Sequence, residues 1–149
     1  MQHADTARPA TGHPLMPRVF DPQGTWFENG ISLAGRAIIA WFFIGAARYH
    51  LSSAHYADTL SDMTARGVPA PALGLAIGMA VSVIASLALV FRMGGRWPAL
   101  VLAVYSIAVS WLMHNPIYGH GPDMFFFYKD LAITGALLLA GSWPGNSRL

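Results

Sequence analysis

The sequence predicts an all-α protein: a polytopic membrane four-helix bundle with a short amphipathic interfacial helix between spans one and two. Two observations lead to this fold class. Of the 149 residues, 54% are hydrophobic and only 11% are charged, whereas a soluble domain carries about 25% charged residues. The apolar residues also gather into four runs, each long enough for an α-helix to cross about 30 Å of hydrocarbon.

Charge and cysteine usage exclude several classes of function. The net charge of +2 is too small, and the basic residues are too dispersed along the chain, to indicate nucleic-acid binding. The chain has no cysteine, so it cannot form disulfides, use a thiolate for catalysis or ligate an iron–sulfur cluster by itself.

The N-terminal region does not look like a packed element. Residues 1–30 contain four prolines and no sustained apolar run, which predicts a flexible tail. Its later part, residues 19–27, is rich in aromatic side chains that could lie along the membrane interface. The membrane domain is predicted over residues 31–143, and residues 144–149 form a short polar tail.

Span one is predicted from Ile31 to about Leu51, with its charges near the ends. Arg36 can extend to one membrane surface, while Arg48 and His50 lie near the other. The next stretch, residues 52–66, repeats apolar residues at helical spacing and places its charges on other faces. It predicts an amphipathic helix on the membrane surface.

Span two, from about Ala72 to Phe91, carries no charge and shows a stripe of small residues. Such a stripe allows close approach of a neighbouring helix. We interpret it as a packing face, and a polar lining for a ligand path is the alternative. The stripe consists of Gly74, Gly78, Ser82 and Ser86.

Spans three and four are predicted from Trp97 to His114 and from about Phe125 to Gly141, joined by a loop that carries His120 and Asp123. Four spans place both termini on one side of the membrane. Segments on the cytoplasmic side of a membrane protein usually carry more arginine and lysine than those on the other side. Their distribution here favours the cytoplasm as the side of both termini. The terminal side holds Arg18, Arg36, Arg92, Arg96 and Arg148, and the opposite side holds Arg48, Arg66 and Lys129.

This topology gathers ionisable residues at the non-cytoplasmic face, where unpaired charges are costly and therefore functional candidates. We predict a pocket for a quinone head group, in which imidazoles and a lysine donate hydrogen bonds and relay protons. The alternative is a network of ion pairs that clamps the bundle. The candidate pocket residues are His50, His114, Lys129, Asp130 and Arg48.

No metal site is predicted. His50 and His55 are five residues apart, which separates them by about 140° around a helix. Haem held between His50 and His114 is geometrically conceivable in a four-helix bundle, but it is disfavoured because neither histidine lies deep in its span.

From about Gly35 to Gly141 the chain resembles the DoxX family of small four-helix bacterial membrane proteins. The likeness is carried by the Gly35-Arg36 opening and by the motifs ARGVPAPAL, RMGGRW and FYKDLAITGALLL. Where relatives often carry a glutamate followed by two glycines, this chain has Ser82 and then Ala85-Ser86. Where a lysine is common near the end of span one, it offers Arg48 or His50.

The resemblance implies a bacterial inner-membrane protein that, in some members, is a membrane subunit associated with quinone-linked oxidation of sulfur compounds. Our leading hypothesis is a membrane subunit of a quinone-linked oxidoreductase complex, with other membrane or redox subunits as partners. The alternative is a non-catalytic accessory or assembly subunit that packs beside a larger membrane complex. A transporter is less favoured, since span two has no charge and no inverted repeat is visible. Whether the chain is itself an enzyme stays open.

Overall fold

The computed structural model describes residues 19–22, 24–115, 117 and 122–142, and it is helical throughout this part apart from turns and caps. Three helices in it are long and apolar enough to cross a membrane, namely α1, α3 and α5, and the 17-residue α4 is a shorter apolar helix. The predicted all-helical class is confirmed. The helices are α1 (Trp26–Tyr49), α2 (Ser53–Ala65), α3 (Pro71–Val90), α4 (Trp97–Met113) and α5 (Pro122–Ser142).

Helix α1 begins five residues before the predicted start of span one. Thr25 caps it: the Thr25 hydroxyl accepts a hydrogen bond from the Glu28 amide at 3.2 Å, and the Glu28 carboxylate accepts one from the Thr25 amide at 2.8 Å. This reciprocal capping box satisfies two amides that a helix start otherwise leaves open. The prediction of a flexible tail was therefore wrong for residues 26–30. Residues 1–18 lie outside the described part of the chain.

Prolines mark the beginnings of three helices. Pro71 is the first residue of α3, Pro98 is the second of α4, and Pro122 is the first of α5. Proline suits these positions because its fixed φ is helical and the first amides of a helix have no partner within it. Helix α5 thus begins three residues before the predicted start of span four, and Asp123 lies in its first turn rather than in a loop.

A single core joins four of the helices. Its buried side chains come from α1, α3, α4 and α5, whereas α2 buries no residue and packs mainly against α3. Met63 of α2 lies beside Gly74 of α3, with Cε 3.4 Å from the place where a Cβ would stand. That α2 lies along the membrane surface stays a prediction. The core consists of Phe43, Ala85, Leu89, Ala99, Leu102, Ala103 and Leu137.

The small residues of α3 lie mostly on its buried face. Gly78, Ser82 and Ser86 are buried, while Gly74 is exposed. The absent side chain of Gly78 makes room for Tyr105 of α4, whose hydroxyl oxygen would stand only 2.9 Å from a Cβ at this position. The ring of Tyr105 in turn lies 6.3 Å from that of Phe43, so this contact connects α3, α4 and α1.

Arg36 is only 4% exposed, so its side chain packs inside the protein. That it lies at the level of a membrane surface stays a prediction. Its guanidinium donates to the carbonyl oxygens of Val90 at 2.6 Å and Leu89 at 3.4 Å, at the end of α3. It also donates to the carbonyls of Val19 at 2.8 Å and Ser32 at 3.1 Å. The last carbonyls of a helix lack partners within it and carry negative partial charge. Arg36 therefore caps α3 and fixes the segment before α1.

Candidate functional site

Lys129 and Asp130 lie well inside α5. They are the eighth and ninth of its 21 residues, so at 1.5 Å per residue they lie about 10 Å along the helix from its first residue. Lys129 is one-third exposed, and Asp130 is buried. The pair thus stands within the apolar length of the helix, at a depth where charges are costly unless they are compensated.

Three groups compensate the charge of Lys129. Its Nζ lies 3.3 Å from Asp130 Oδ1. It also lies 5.1 Å from the ring centroid of Phe42 on α1 and 5.0 Å from that of Phe126 on α5. A cation within about 6 Å of an aromatic centroid is attracted to the negative face of the ring. Lys129 thereby connects α5 to α1, and its partly exposed ammonium keeps donors for a further partner.

Hydroxyl groups of α4 and α5 continue this polar region. Ser106 Oγ donates to the main-chain carbonyl of Asp130 at 3.5 Å, and Thr134 Oγ1 donates to the same carbonyl at 2.8 Å. Ser110 lies one turn from Ser106 on the same face of α4 and is buried, and its hydroxyl has no hydrogen-bond partner within the described residues. A row of small polar groups therefore runs along the contact between α4 and α5.

His114 ends α4 and faces Asp123 in the first turn of α5. The two side chains meet at 3.3 Å between Nδ1 and Oδ1, and Arg66 from the end of α2 lies 3.6 Å from the same carboxylate oxygen. Because a carboxylate only accepts hydrogen bonds, Nδ1 of His114 carries the hydrogen, and Nε2 is left for another partner. Asp123 thus orients His114 and joins the ends of three helices.

Phe126 connects this cluster to the lysine. The His114 ring lies 5.0 Å from the Phe126 ring, tilted by 31°, and Lys129 Nζ lies at the same distance from the Phe126 centroid. The structure therefore places three of the predicted pocket residues, namely His114, Lys129 and Asp130, around one contact between α4 and α5.

His50 lies in a different environment, at the turn between α1 and α2. Its Nδ1 is 3.0 Å from Thr59 Oγ1, which already donates its hydrogen to the main-chain carbonyl of His55 at 2.7 Å. Thr59 can then only accept from His50, which places the imidazole hydrogen on Nδ1. Burial lowers the pKa of His50 below its ordinary value, and repulsion from His55 lowers it further. The neutral imidazole is favoured here.

Arg48 is exposed in the last turn of α1 and borders a groove between α1 and α3. None of the described contacts joins Arg48 or His50 to Lys129. Arg48 and His50 are therefore not part of the cluster of contacts around Phe126. Their membership of a common pocket stays a prediction. His120, which the sequence placed in the loop after span three, lies outside the described residues.

A metal site receives no support from these positions. In the part of the chain that the structure describes, no three histidine, aspartate or glutamate side chains are grouped so that they could hold a metal ion. Asp123 is contacted by His114 and by Arg66, but an arginine side chain has no acceptor atom with which to bind a metal ion. Haem binding stays untested by this arrangement.

The sequence did not point to the aromatic partners of Lys129. Phe126 precedes Lys129 by three residues in α5, and residues at this spacing are neighbours on a helix surface, so this contact could have been predicted. The contact with Phe42 joins two helices and leaves no local signal. The pairing of Arg66 with Asp123 likewise depends on how α2 folds back over the bundle.

Comparison with known proteins identifies the family. The DoxX family model matches residues 31–115, which is more than half of the chain and covers α1 from its second turn through the end of α4. The motif FYKDLAITGALLL in α5 lies beyond this range, so its likeness to the family stays a prediction. No curated protein and no solved structure matches the chain. The match over α1 to α4, on a chain of apolar helices around one core, shows that this chain belongs to the DoxX family.

Proposed function

We propose that this protein is a four-span membrane subunit of a quinone-linked oxidoreductase complex, in which Lys129 and His114 bind the quinone head group. The observation that carries the proposal is the Lys129 ammonium: it stands within an apolar helix, partly exposed, between two aromatic rings and beside a buried carboxylate. We place the protein in a bacterial inner membrane with both termini in the cytoplasm.

The four-span topology needs α4 to cross the membrane as well. Although α4 has only 17 residues, they cover about 25 Å at the rise of an α-helix. Helix α4 packs against both α3 and α5 and contributes buried residues to the shared core. A helix that packs between two membrane spans has to lie at the same depth, since exposed backbone ends are not tolerated in hydrocarbon.

The chemistry of a quinone fits the donors of this cluster. A quinone presents carbonyl oxygens that accept hydrogen bonds, and its reduction to quinol takes up two electrons and two protons. The Lys129 ammonium has only donors, and Asp130 compensates its charge at 3.3 Å. His114 keeps Nε2 available because Asp123 binds Nδ1, so Nε2 can accept a hydrogen bond from a hydroxyl of the quinol that reduction produces. The electrons would come from a redox centre in a partner subunit.

The test uses the protein isolated from its native membranes together with the chains and lipids bound to it. Lys129→Gln and His114→Gln should each lower quinone content and quinone reduction per assembled complex by about tenfold or more, since one hydrogen bond from a charged group is worth about 1.5–3 kcal/mol. Arg96→Gln is the matched control, because it also removes one positive charge, from an exposed position at the start of α4. Unchanged quinone content and turnover in both variants would refute the proposal.

A second candidate, the accessory subunit, is favoured by Trp41. This residue lies near the middle of α1 and is 81% exposed, whereas tryptophan prefers the membrane interface, where its N–H finds a partner. An exposed tryptophan at mid-depth suits contact with another membrane protein. For an accessory role, the ion pair in α5 has to be structural only.

The double variant Lys129→Gln/Asp130→Asn separates the two candidates. Removing both charges avoids a buried unpaired carboxylate, so the bundle should keep more stability than Lys129→Gln alone. If the double variant assembles fully and turnover per complex equals that of the wild type, the accessory role is correct. If it assembles but reduces quinone about tenfold more slowly, the quinone role is correct.

A further inference from the structure

A groove on the outside of the bundle, between α1 and α3, is lined by apolar side chains and one arginine. It is an open groove with a volume of about 350 Å³. Ile44 of α1 and Leu51, which follows the end of α1, line one side, and Val83 and Ile84 line the other side from α3. Arg48 is the only charged residue among its lining groups.

The groove opens towards lipid rather than water. Both of the helices that form it, α1 and α3, are long and apolar enough to span a membrane, and the opening lies on their outer side, next to the exposed residue Ile84. An occupant therefore has an extended apolar part that lies between the helices. A membrane acyl chain meets this requirement.

Arg48 specifies the other end of the occupant. It lies in the last turn of α1, and its side chain is exposed and forms no ion pair within the described residues. At the end of a membrane span an arginine lies near the level of the lipid head groups. A guanidinium binds a phosphate through two parallel hydrogen bonds. The occupant should carry its anionic group directly above the apolar groove.

We propose that this groove binds an anionic glycerophospholipid, with one acyl chain between α1 and α3 and the phosphate on Arg48. The site is separate from the candidate quinone site, because Phe42, which contacts Lys129, and Arg48 are about 120° apart around α1. The proposal does not depend on the quinone hypothesis. A quinone tail also fits the apolar lining, but its uncharged head group would leave Arg48 without an anion.

The test reconstitutes the protein into vesicles with equal amounts of phosphatidylglycerol and phosphatidylcholine, extracts it in mild detergent, and counts retained lipids by native mass spectrometry. The wild type should retain phosphatidylglycerol over phosphatidylcholine by about fivefold, and Arg48→Gln should abolish this preference, since one basic residue near an anionic head group contributes about this much. Arg48→Lys should keep part of the preference. Arg96→Gln, a control at an exposed arginine outside the groove, should keep all of it.

A steric variant tests the groove without changing a charge. Ala80 lines the groove and is exposed, so Ala80→Phe should fill the space of the acyl chain and lower phospholipid retention by about fivefold while the rest of the fold is unaffected. Equal retention of the two phospholipids by the wild type, or unchanged retention in both Arg48→Gln and Ala80→Phe, would overturn the proposal. Retention of a quinone in place of phospholipid when native membranes are extracted would overturn it too.

Discussion

At the scale of single residues, the neutral state of His50 has a consequence for stability. Burial, and to a lesser extent His55, lowers the pKa of His50 in the folded protein, so the folded state takes up a proton less readily than the unfolded chain does. The contribution of His50 to stability should be fully present above about pH 6.5, the ordinary pKa of a histidine, and should fall as the pH drops towards the lowered value.

His50→Gln should remove this contribution, because glutamine can still donate to Thr59 but does not titrate. The measurement is the free energy of unfolding in detergent micelles at several pH values between about 5 and 8. The slope below about pH 6.5 should be smaller in the variant than in the wild type. Identical slopes would show that His50 does not carry the pH dependence.

At the scale of the elements, the close approach of α3 and α4 depends on Gly78. A Cβ at this position would stand 2.9 Å from the hydroxyl oxygen and 3.3 Å from Cε2 of Tyr105, which forces the ring or the helix to move. Gly78→Ala should therefore destabilise the bundle by about 1–3 kcal/mol. Thermal unfolding in the same detergent measures the effect.

Gly135→Ala is the matched control for this helix contact. Gly135 lies within α5, and a Cβ there would meet no atom within 4 Å. The substitution should be neutral or stabilise the protein by up to about 1 kcal/mol, because alanine favours a helix more than glycine does. If Gly78→Ala and Gly135→Ala change the stability equally, the Tyr105 side chain can move aside without an energetic cost. The contact with Gly78 then does not determine how closely α3 and α4 pack.

Helix α5 shows how far its register could be predicted. Ala132, Ala136 and Ala140 recur at four-residue spacing in the sequence and form a stripe of small residues along the helix, but the structure leaves Ala132 and Ala136 exposed. Helix α5 buries a different face. The sequence does not show which face this is, because apolar residues lie all around the helix. The buried positions from the middle of α5 onwards are Asp130, Thr134, Leu137 and Gly141.

At the scale of the whole molecule, Arg36 holds together parts that are distant in sequence. Its hydrogen bonds reach the end of α3 and the segment before α1. Arg36→Met keeps much of the apolar side chain but leaves those carbonyls without a donor, so we expect a loss of about 3 kcal/mol. Hydrogen exchange should also become faster in the last turn of α3.

Arg96→Met is the control for the loss of a charged side chain at this end of the bundle. Arg96 is exposed and lies over the Trp97 ring at 5.8 Å, a contact worth about 0.5–1 kcal/mol at most. An equal loss of stability in the two variants would contradict the role of Arg36 as a cap. Free energies of unfolding in one detergent provide the comparison.

The sequence predicted the helices well and the contacts between them less well. The bounds of α2, α3 and α4 came within one residue of prediction, because apolar runs end there at prolines and glycines such as Gly67 and Pro71. The sequence predicted that Arg36 reaches a membrane surface, but nothing in the chain shows that its guanidinium donates to the carbonyl of Val90. Likewise, the sequence predicted one pocket for Arg48 and Lys129, but it does not show that the described aromatic contacts of Lys129 are with Phe42 and Phe126.

Asp123 connects the candidate site to the outside of the bundle. Arg66 ends α2, which packs only loosely on the other helices, and it shares the Asp123 carboxylate with His114. A displacement of α2 by a docked protein would take the guanidinium away from that carboxylate and change the field at the imidazole. The hydrogen bond that orients His114 would then respond to assembly at the surface, without any molecule entering the bilayer.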